Sequence, residues 1–377
     1  MHLQKLELQH FKNYEYLNLE FSPLVNCLVG ANGAGKTNVL DAIYYLSFCK
    51  GYFNYSDRHN LSHNEAFFTI KGHYDRLEEA LSIYCGYKKG EKKIFKKNTK
   101  TYTRLIDHIG LVPLVFVSPA DHKIIEDHSE IRRKFVDGIL CQTDSAYLHA
   151  LVSYNKGLNQ RNALLKKINE GFPLDKELID SWDVQLIDNG VFIYERRKAF
   201  MEAFKPHILK FYEEISSQKE QIDVLYQSHL DDKGFEELLK ESLKTDIQRQ
   251  FTSKGIHKDD WAFEMENVSL KKYGSQGQQK SFIIALKLAQ LFYIKESLSI
   301  APILLLDDIF DKLDKNRVEA LIGLVSKYVF GSQIFITDTD QERMQNLLEN
   351  IVDDYRLFEV VNGNINVLNG VLNEEEG

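Results

Sequence analysis

The 377-residue sequence has no apolar run near the roughly 20 residues that span a bilayer, so no membrane partner is expected. Its opening, Met1-His2-Leu3-Gln4-Lys5-Leu6, carries no apolar segment of a secretory signal. Cysteine is scarce: Cys27, Cys49, Cys85 and Cys141 are scattered, with no C-x-x-C pair. That spacing predicts free buried thiols in a reducing compartment, not disulfides or zinc ligands, and the expectation is a cytoplasmic protein. Internal repeats and low-complexity tracts are missing. The histidines His122, His128 and His257 lack metal-ligand spacing, which argues against a metal-dependent nuclease. The net charge of −8 argues against a protein that coats nucleic acid wholesale, although binding follows local charge and not the sum.

What is present begins with Gly30-Ala31-Asn32-Gly33-Ala34-Gly35-Lys36-Thr37, a match to the phosphate-cradling P-loop G-x-x-x-x-G-K-[ST]. Val25, Cys27, Leu28 and Val29 before it read as a buried strand. Val39, Leu40, Ile43 and Leu46 after it fall at helical spacing between Asn38 and Cys49. Glycines let the backbone turn its N–H groups inward, and the helix N-terminus adds partial positive charge. Lys36 is expected on the β- and γ-phosphates and Thr37 on Mg²⁺. The loop thus predicts binding of a nucleoside triphosphate.

Leu6 and Leu8, then Leu17, Leu19 and Phe21, alternate as half-buried strands do. Between them, His10-Phe11-Lys12-Asn13-Tyr14 reads as a corner; Lys12 either lies solvated or reaches nucleotide at the P-loop. Phe67 to Tyr74 and Ala80 to Cys85 read as a strand pair. The densest basic stretch follows, with Lys88, Lys89, Lys92, Lys93, Lys96, Lys97, Lys100 and Arg104 interleaved with Ile94, Phe95 and Tyr102. It is either a solvated hairpin or a phosphate-contacting surface, with Lys92, Lys93, Lys96 and Lys97 as the DNA candidates. From Asp121 to about Gln250 helical apolar spacing dominates, as in Leu178, Trp182 and Leu186 and in Phe192, Ala199, Phe200 and Phe204. No heptad persists long enough for an extended coiled coil. After Gly255 the α/β pattern returns, ending in a hairpin turned at Asn362-Gly363 and a frayed acidic end, Glu374-Glu375-Glu376.

Ile303-Leu304-Leu305-Leu306 is a buried strand that delivers Asp307 and Asp308. Beside a P-loop, Asp307 is expected in the Mg²⁺ shell and Asp308 as the group that orients and deprotonates attacking water. Ser275-Gln276-Gly277-Gln278 opens an apolar helix, where Ser275 on its own needs no role beyond N-cap. The order of P-loop, long insertion, S-x-G-Q helix start and strand-Asp-Asp resembles the ABC-type ATPases. That resemblance implies an α/β fold, an ABC-type P-loop ATPase head of mixed sheet plus helices with an inserted helical arm lobe. Residues 1–117 and 259–377 would form the ATPase lobe and 118–258 the arm. It also implies that Ser275, Gln276, Gly277 and Gln278 complete the ATP site of a second copy, so that ATP drives homodimerisation.

Within that class the chain resembles the RecF family of bacterial recombinational repair proteins. The resemblance is carried by Phe11-Lys12-Asn13-Tyr14, the P-loop, Ile109-Gly110-Leu111-Val112-Pro113 and Ser118-Pro119. It continues through Ile131-Arg132-Arg133-Lys134-Phe135-Val136-Asp137, Trp182 and Leu186, Gly255-Ile256-His257-Lys258-Asp259-Asp260, Ser275 to Lys280 and the Asp307-Asp308 strand. Ile256 and Lys258 replace the usual proline and arginine, and Asp311-Lys312 a common Ser-Glu. Thr337-Asp338 stands where many relatives have a switch histidine. The resemblance implies ATP and Mg²⁺ as cofactors and a slow DNA-stimulated ATPase acting as a switch. It further implies an ATP-dependent dimer on single-stranded or gapped DNA, RecR and RecO as partners, and a role in recombinase loading, replication restart and the SOS response. SMC-like heads need coiled coils far longer than this insertion. A transporter ATPase would have a shorter gap between P-loop and signature.

Overall fold

The computed structural model describes residues 1–53, 56–216, 220–309, 323–325, 327, 331–351 and 354–369. Asp311-Lys312 and Glu374–Glu376 lie outside them. The chain divides into two compact units, Met1–Asp121 with Gln290–Gly377, and His122–Ala289. The expected boundary at 258 therefore moves: the division falls inside the helix Gln276–Leu298, and Ser275–Gln278 belongs to the second unit.

In the first unit two six-stranded sheets supply the frame. One is antiparallel, in the order Tyr14–Glu20, His2–Phe11, Phe67–Arg76, Glu79–Lys88, Ile94–Lys97, Lys100–Thr101. Leu6 and Leu8 alternate inward as expected, and a register shift between Leu3 and Lys5 keeps Leu3 on the buried face as well. The other sheet runs Asn364–Asn369, Tyr355–Val361, Val25–Val29, Ile334–Asp338, Ile303–Leu306, Leu114–Val117. It is parallel except for the Tyr355–Val361/Asn364–Asn369 hairpin. Every residue of Val25–Val29 and Ile334–Asp338 is buried, which is why these strands read as continuous apolar runs and not as alternating ones. The helix Lys36–Phe48 touches strands of both sheets, with Val39, Leu40, Ala42, Ile43 and Leu46 fully buried. A helix covered on several sides has little reason to be amphipathic.

The second unit is not purely helical, contrary to the sequence pattern. A three-stranded antiparallel sheet, Val268–Ser269, Asp260–Met265 and Ile222–Gln227, accompanies the helices. Helices Ser145–Asn169 and Lys176–Ser216 pack together, with Ile179, Leu186, Ile193, Phe200 and Phe204 buried on the longer one. Leu178, expected inside, is exposed. Gly190 sits in the buried line because a Cβ there would collide with the Phe235 ring.

Two of the resemblance motifs meet in this unit as one charge network. Arg132 grips both carboxylate oxygens of Asp260 at 2.7 and 3.0 Å, and Arg133 donates to the Asp259 carbonyl at 2.6 Å. Buried Arg197 donates to Asp137, Asp259 and the Ile256 carbonyl, each at 2.8 Å. Ile256 contributes only its carbonyl to that network, so a side chain other than proline is accommodated. A buried guanidinium without such partners would be very costly, so these contacts hold the unit to one packing.

Two histidines, His108 fully buried and His257 half-buried, are kept neutral by burial and are hydrogen-bonded at both ring nitrogens. His108 pairs Nε2 with the Leu46 carbonyl at 2.6 Å, and His257 pairs Nε2 with the Thr252 carbonyl at 2.8 Å. A carbonyl only accepts, so in each ring Nε2 bears the proton and Nδ1 accepts from Tyr102 or Tyr154. Burial lowers both histidines from the ordinary 6.5 to about 4. The unfolded chain therefore binds more protons between those values. Stability is complete above pH 6.5 and falls as pH drops toward 4, by on the order of 1–3 kcal/mol per histidine. Urea unfolding between pH 7 and 4.5 should show that loss. His108→Gln keeps a donor for Leu46 and should flatten the dependence; an unchanged pH slope would contradict the assignment.

Candidate nucleotide site

The P-loop leaves strand Val25–Val29 at its C-terminal end, and two glycines set its path. Gly30 adopts φ +155°, and a Cβ there would overlap the Val360 carbonyl oxygen. Gly35 adopts φ +120°, and its Cβ would overlap Asn13 Nδ2. Both positions therefore need glycine for space as well as for φ. Gly35 caps the helix Lys36–Phe48 without any side-chain hydrogen bond, so the first-turn N–H groups have no capping side chain. Ala31, Asn32 and Gly33 are exposed, whereas Ala34 is buried. Lys36, only 3 % exposed, turns back into the loop and donates from Nζ to the carbonyls of Gly30 at 2.7 Å and Ala31 at 3.1 Å.

The corner Phe11–Tyr14 buttresses this loop. Asn13 Nδ2 donates to the Ala34 carbonyl at 3.2 Å, Tyr14 OH to the Gly35 carbonyl at 3.1 Å, and Asn38 Nδ2 to Asn13 Oδ1 at 2.7 Å. Lys12 does not join the loop. Its ammonium pairs with Asp41, fully buried on the P-loop helix, which also accepts from the Tyr52 N–H at 2.6 Å. In this structure the Lys12 ammonium, expected either solvated or at the nucleotide, is taken up by an ion pair that fastens the corner to the helix.

Asp307 and Asp308 lie where the strand pattern put them. Strand Ile334–Asp338 runs between the P-loop strand and Ile303–Leu306, pairing in parallel with both. Thr337, near its C-terminal end, donates to Asp307 Oδ1 at 2.8 Å and accepts from the Asp308 N–H at 2.9 Å. Thr37 of the P-loop donates to the same Asp307 oxygen at 2.8 Å. Burial raises the Asp307 carboxyl above its ordinary range, the Thr337 and Thr37 hydroxyls oppose that rise, and the Asp308 charge adds to it. A cation would reverse that balance. Thr37 Oγ1 and Asp307 Oδ1 form a hard-oxygen pair of the kind Mg²⁺ takes beside phosphate oxygens and water, so the donor set fits that ion. Asp308 has φ +44°, a conformation costing strain in a non-glycine residue. Thr337, Asn13, Tyr14 and Asp41 were not among the expected site residues. The corner motif held the signal for two of them, and the switch position pointed at Thr337 without giving its role, but an aspartate alone carries none.

In the second unit Ser275 N-caps the helix Gln276–Leu298 as expected. Gln278 N–H donates to Ser275 Oγ at 3.2 Å, and Ser275 N–H donates to Gln278 Oε1 at 2.6 Å, a reciprocal capping box. Ser275 and Gln276 are exposed, Gly277 and Gln278 half-buried.

The basic stretch separates by role. Lys92 and Lys97 are exposed and Lys96 lies over the Tyr84 ring at 5.4 Å. Lys93 is occupied: Nζ donates to the Cys49 carbonyl at 2.6 Å and to Tyr45 OH and Asp57 at 3.1 Å. It and Phe95, 1 % exposed, stitch the hairpin to the core, so Lys93 leaves the DNA-facing set.

The Lys12–Asp41 pair generates a direct expectation. Lys12→Ala strands a buried carboxylate and should cost about 3 kcal/mol or more. Adding Asp41→Asn removes that charge and should recover most of it in urea unfolding. Full additivity of the two substitutions would contradict a coupled pair.

Comparison with known proteins establishes the family. The family model described as the RecF/RecN/SMC N-terminal domain matches residues 2–106. A protein of Flavobacterium johnsoniae named DNA replication and repair protein RecF is 45 % identical over 358 residues, 95 % of this chain and 99 % of the relative. One of the same name from Bacteroides thetaiotaomicron is 45 % identical over 367 residues, covering 97 % and 98 %. A solved structure of the recombination mediator protein RecF with ATP in the RecFOR pathway superimposes with a TM-score of 0.87 at 29 % identity, covering 97 % of each chain. The Smc head bound to the C-winged helix domain of ScpA superimposes at 0.57 and 16 % identity, covering 98 % of this chain and 97 % of that one, which speaks to the fold alone. No helix among the described residues is long and apolar enough to cross a membrane. The chain belongs to the RecF family of DNA replication and repair proteins.

Proposed function

We propose that this chain binds ATP with Mg²⁺ at Gly30–Thr37 and that ATP joins two copies into a DNA-binding dimer. The observation that carries the reading is the meeting of the Lys36-filled loop with Thr37 and Asp307, 2.8 Å apart oxygen to oxygen. Thr37 and Asp307 would hold Mg²⁺, which supplies charge neutralisation at the β- and γ-phosphates. The loop N–H groups and Lys36 orient the phosphates. Asp308, held by Thr337 through its backbone N–H, orients the attacking water and takes its proton. Its carboxylate is one methylene shorter than a glutamate, which suits slow hydrolysis that resets a switch. Ser275 to Gln278 of each copy close on the γ-phosphate carried by the other copy. A DNA surface would include Lys92, Lys96 and Lys97, with single-stranded or gapped DNA as ligand. By family, RecR and RecO are the partners in recombinase loading, replication restart and the SOS response.

Sedimentation velocity with and without ATP and Mg²⁺ tests the dimer. Wild type should shift from monomer to dimer, and Lys36→Ala should stay monomeric; a dimer indifferent to ATP would sink the reading. Asp308→Asn should lower ATP turnover about a hundredfold while the ATP-bound dimer persists, since it removes the base and leaves the phosphate contacts. Turnover unchanged in that variant would place the base elsewhere. Changing Lys92, Lys96 and Lys97 to Glu should reduce the salt slope of DNA binding by about one unit for each phosphate that is no longer neutralised. An unchanged slope would return the hairpin to a solvated surface.

A further inference from the structure

The capping box at Ser275 does not end with Gln278. Gln278 Oε1 accepts from the Ser275 N–H, so its Nε2 faces the other way, where it donates to Glu220 Oε1 at 2.7 Å. The second oxygen of Glu220 accepts from Tyr212 OH, also at 2.7 Å. Tyr212 is 1 % exposed near the C-terminal end of Lys176–Ser216, and its ring packs 6.4 Å from that of Phe282 on the Ser275 helix. A chain of hydrogen bonds therefore runs from the long arm helix through Glu220 and Gln278 to the exposed Ser275. All of it lies within the second unit.

The donor and acceptor roles along this chain are determined. A carboxylate only accepts, so Glu220 fixes which end of the Gln278 carboxamide points at Ser275. Ser275 Oγ accepts from the Gln278 main-chain N–H in the other half of the box, and its hydroxyl proton remains to be donated outward. An outward O–H beside the N–H groups of a helix N-terminus is set for an anion. A flipped Gln278 would present its amide hydrogens to the Ser275 N–H and lose the half of the box that holds the Ser275 backbone, on which the hydroxyl is carried. We propose that Glu220 is a positioning residue for the ATP site of the dimer. It locks Gln278, thereby presets the Ser275 hydroxyl for the γ-phosphate on the second copy, and through Tyr212 ties that setting to the arm helix. This inference rests on the composite-site reading above.

Three variants test it, with nucleotide affinity of the monomer at the P-loop measured beside ATP-dependent dimerisation by sedimentation. Glu220→Ala should weaken dimerisation about tenfold or more, because both symmetry-related sites lose the lock. Monomer affinity for a fluorescent ATP analogue should match wild type, since the P-loop lies in the other unit. Glu220→Gln should dimerise like wild type, as its carboxamide can accept from Gln278 and donate to Tyr212. Tyr212→Phe, which removes one hydroxyl, should weaken dimerisation in the same direction by a smaller factor. Wild-type dimerisation in both Glu220→Ala and Tyr212→Phe would overturn the proposal. So would equal loss in Glu220→Gln and Glu220→Ala, which would make the charge itself the requirement. Absence of ATP-dependent dimers in the wild type would instead overturn the composite-site reading on which it stands.

Discussion

One buried oxygen, Oδ1 of Asp307, accepts from two threonine hydroxyls, and the first unit is arranged around that fact. Thr37 brings the start of the P-loop helix, Thr337 the end of the middle strand, and Asp307 the end of its neighbour. Three segments far apart in sequence are fixed to one atom. A carboxylate this buried resists ionisation; the two hydroxyls oppose that, and a cation bound there would oppose it further. On the proposed reading, the same oxygen that organises the loop and the two strands becomes the metal ligand.

The topology explains why these groups meet at one edge. In a parallel sheet the C-terminal ends of the strands collect on one side, and ligands bind in the crevice there. The P-loop follows Val25–Val29, Asp307 follows Ile303–Leu306, and Thr337 closes the strand between them. Asp308 pays for its place with a positive φ, held by the Thr337 hydroxyl. Behind the loop, Arg343 grips both oxygens of Asp338 at 2.6 and 2.7 Å, and Gly30 N–H donates to the Asp338 carbonyl at 3.2 Å. The residue pair at the switch position therefore secures both the loop and the Asp307 strand.

Much of this was legible beforehand, and the reasons differ by residue. The P-loop, the apolar strands and the Asn362-Gly363 hairpin are local patterns, and local patterns survive folding. Ser275 and Gln278 likewise formed the box that their spacing allows. Long-range pairings left no such trace. Lys93 looks the same in sequence as Lys92, yet Tyr45, Cys49 and Asp57 claim it. Lys12 is claimed by Asp41, a residue whose neighbours suggest only a helix. The strand Ile222–Gln227 was hidden because its partner Asp260–Met265 lies on the other side of a helix and a loop. Composition shows that a charge exists, and only the fold shows which partner consumes it.

The central claim is that each ATP site is shared between two copies, and complementation tests it most directly. Lys36→Ala removes the phosphate ligand and leaves Ser275 intact. Ser275→Asp keeps an N-cap but sets a carboxylate against the phosphate. Neither variant alone should dimerise with ATP, since each homodimer has two defective sites. Mixed, they can form a heterodimer with one complete site, and sedimentation of the mixture with ATP and Mg²⁺ should reveal it. A mixture that stays monomeric, or a Ser275→Asp protein that dimerises alone, would contradict the account.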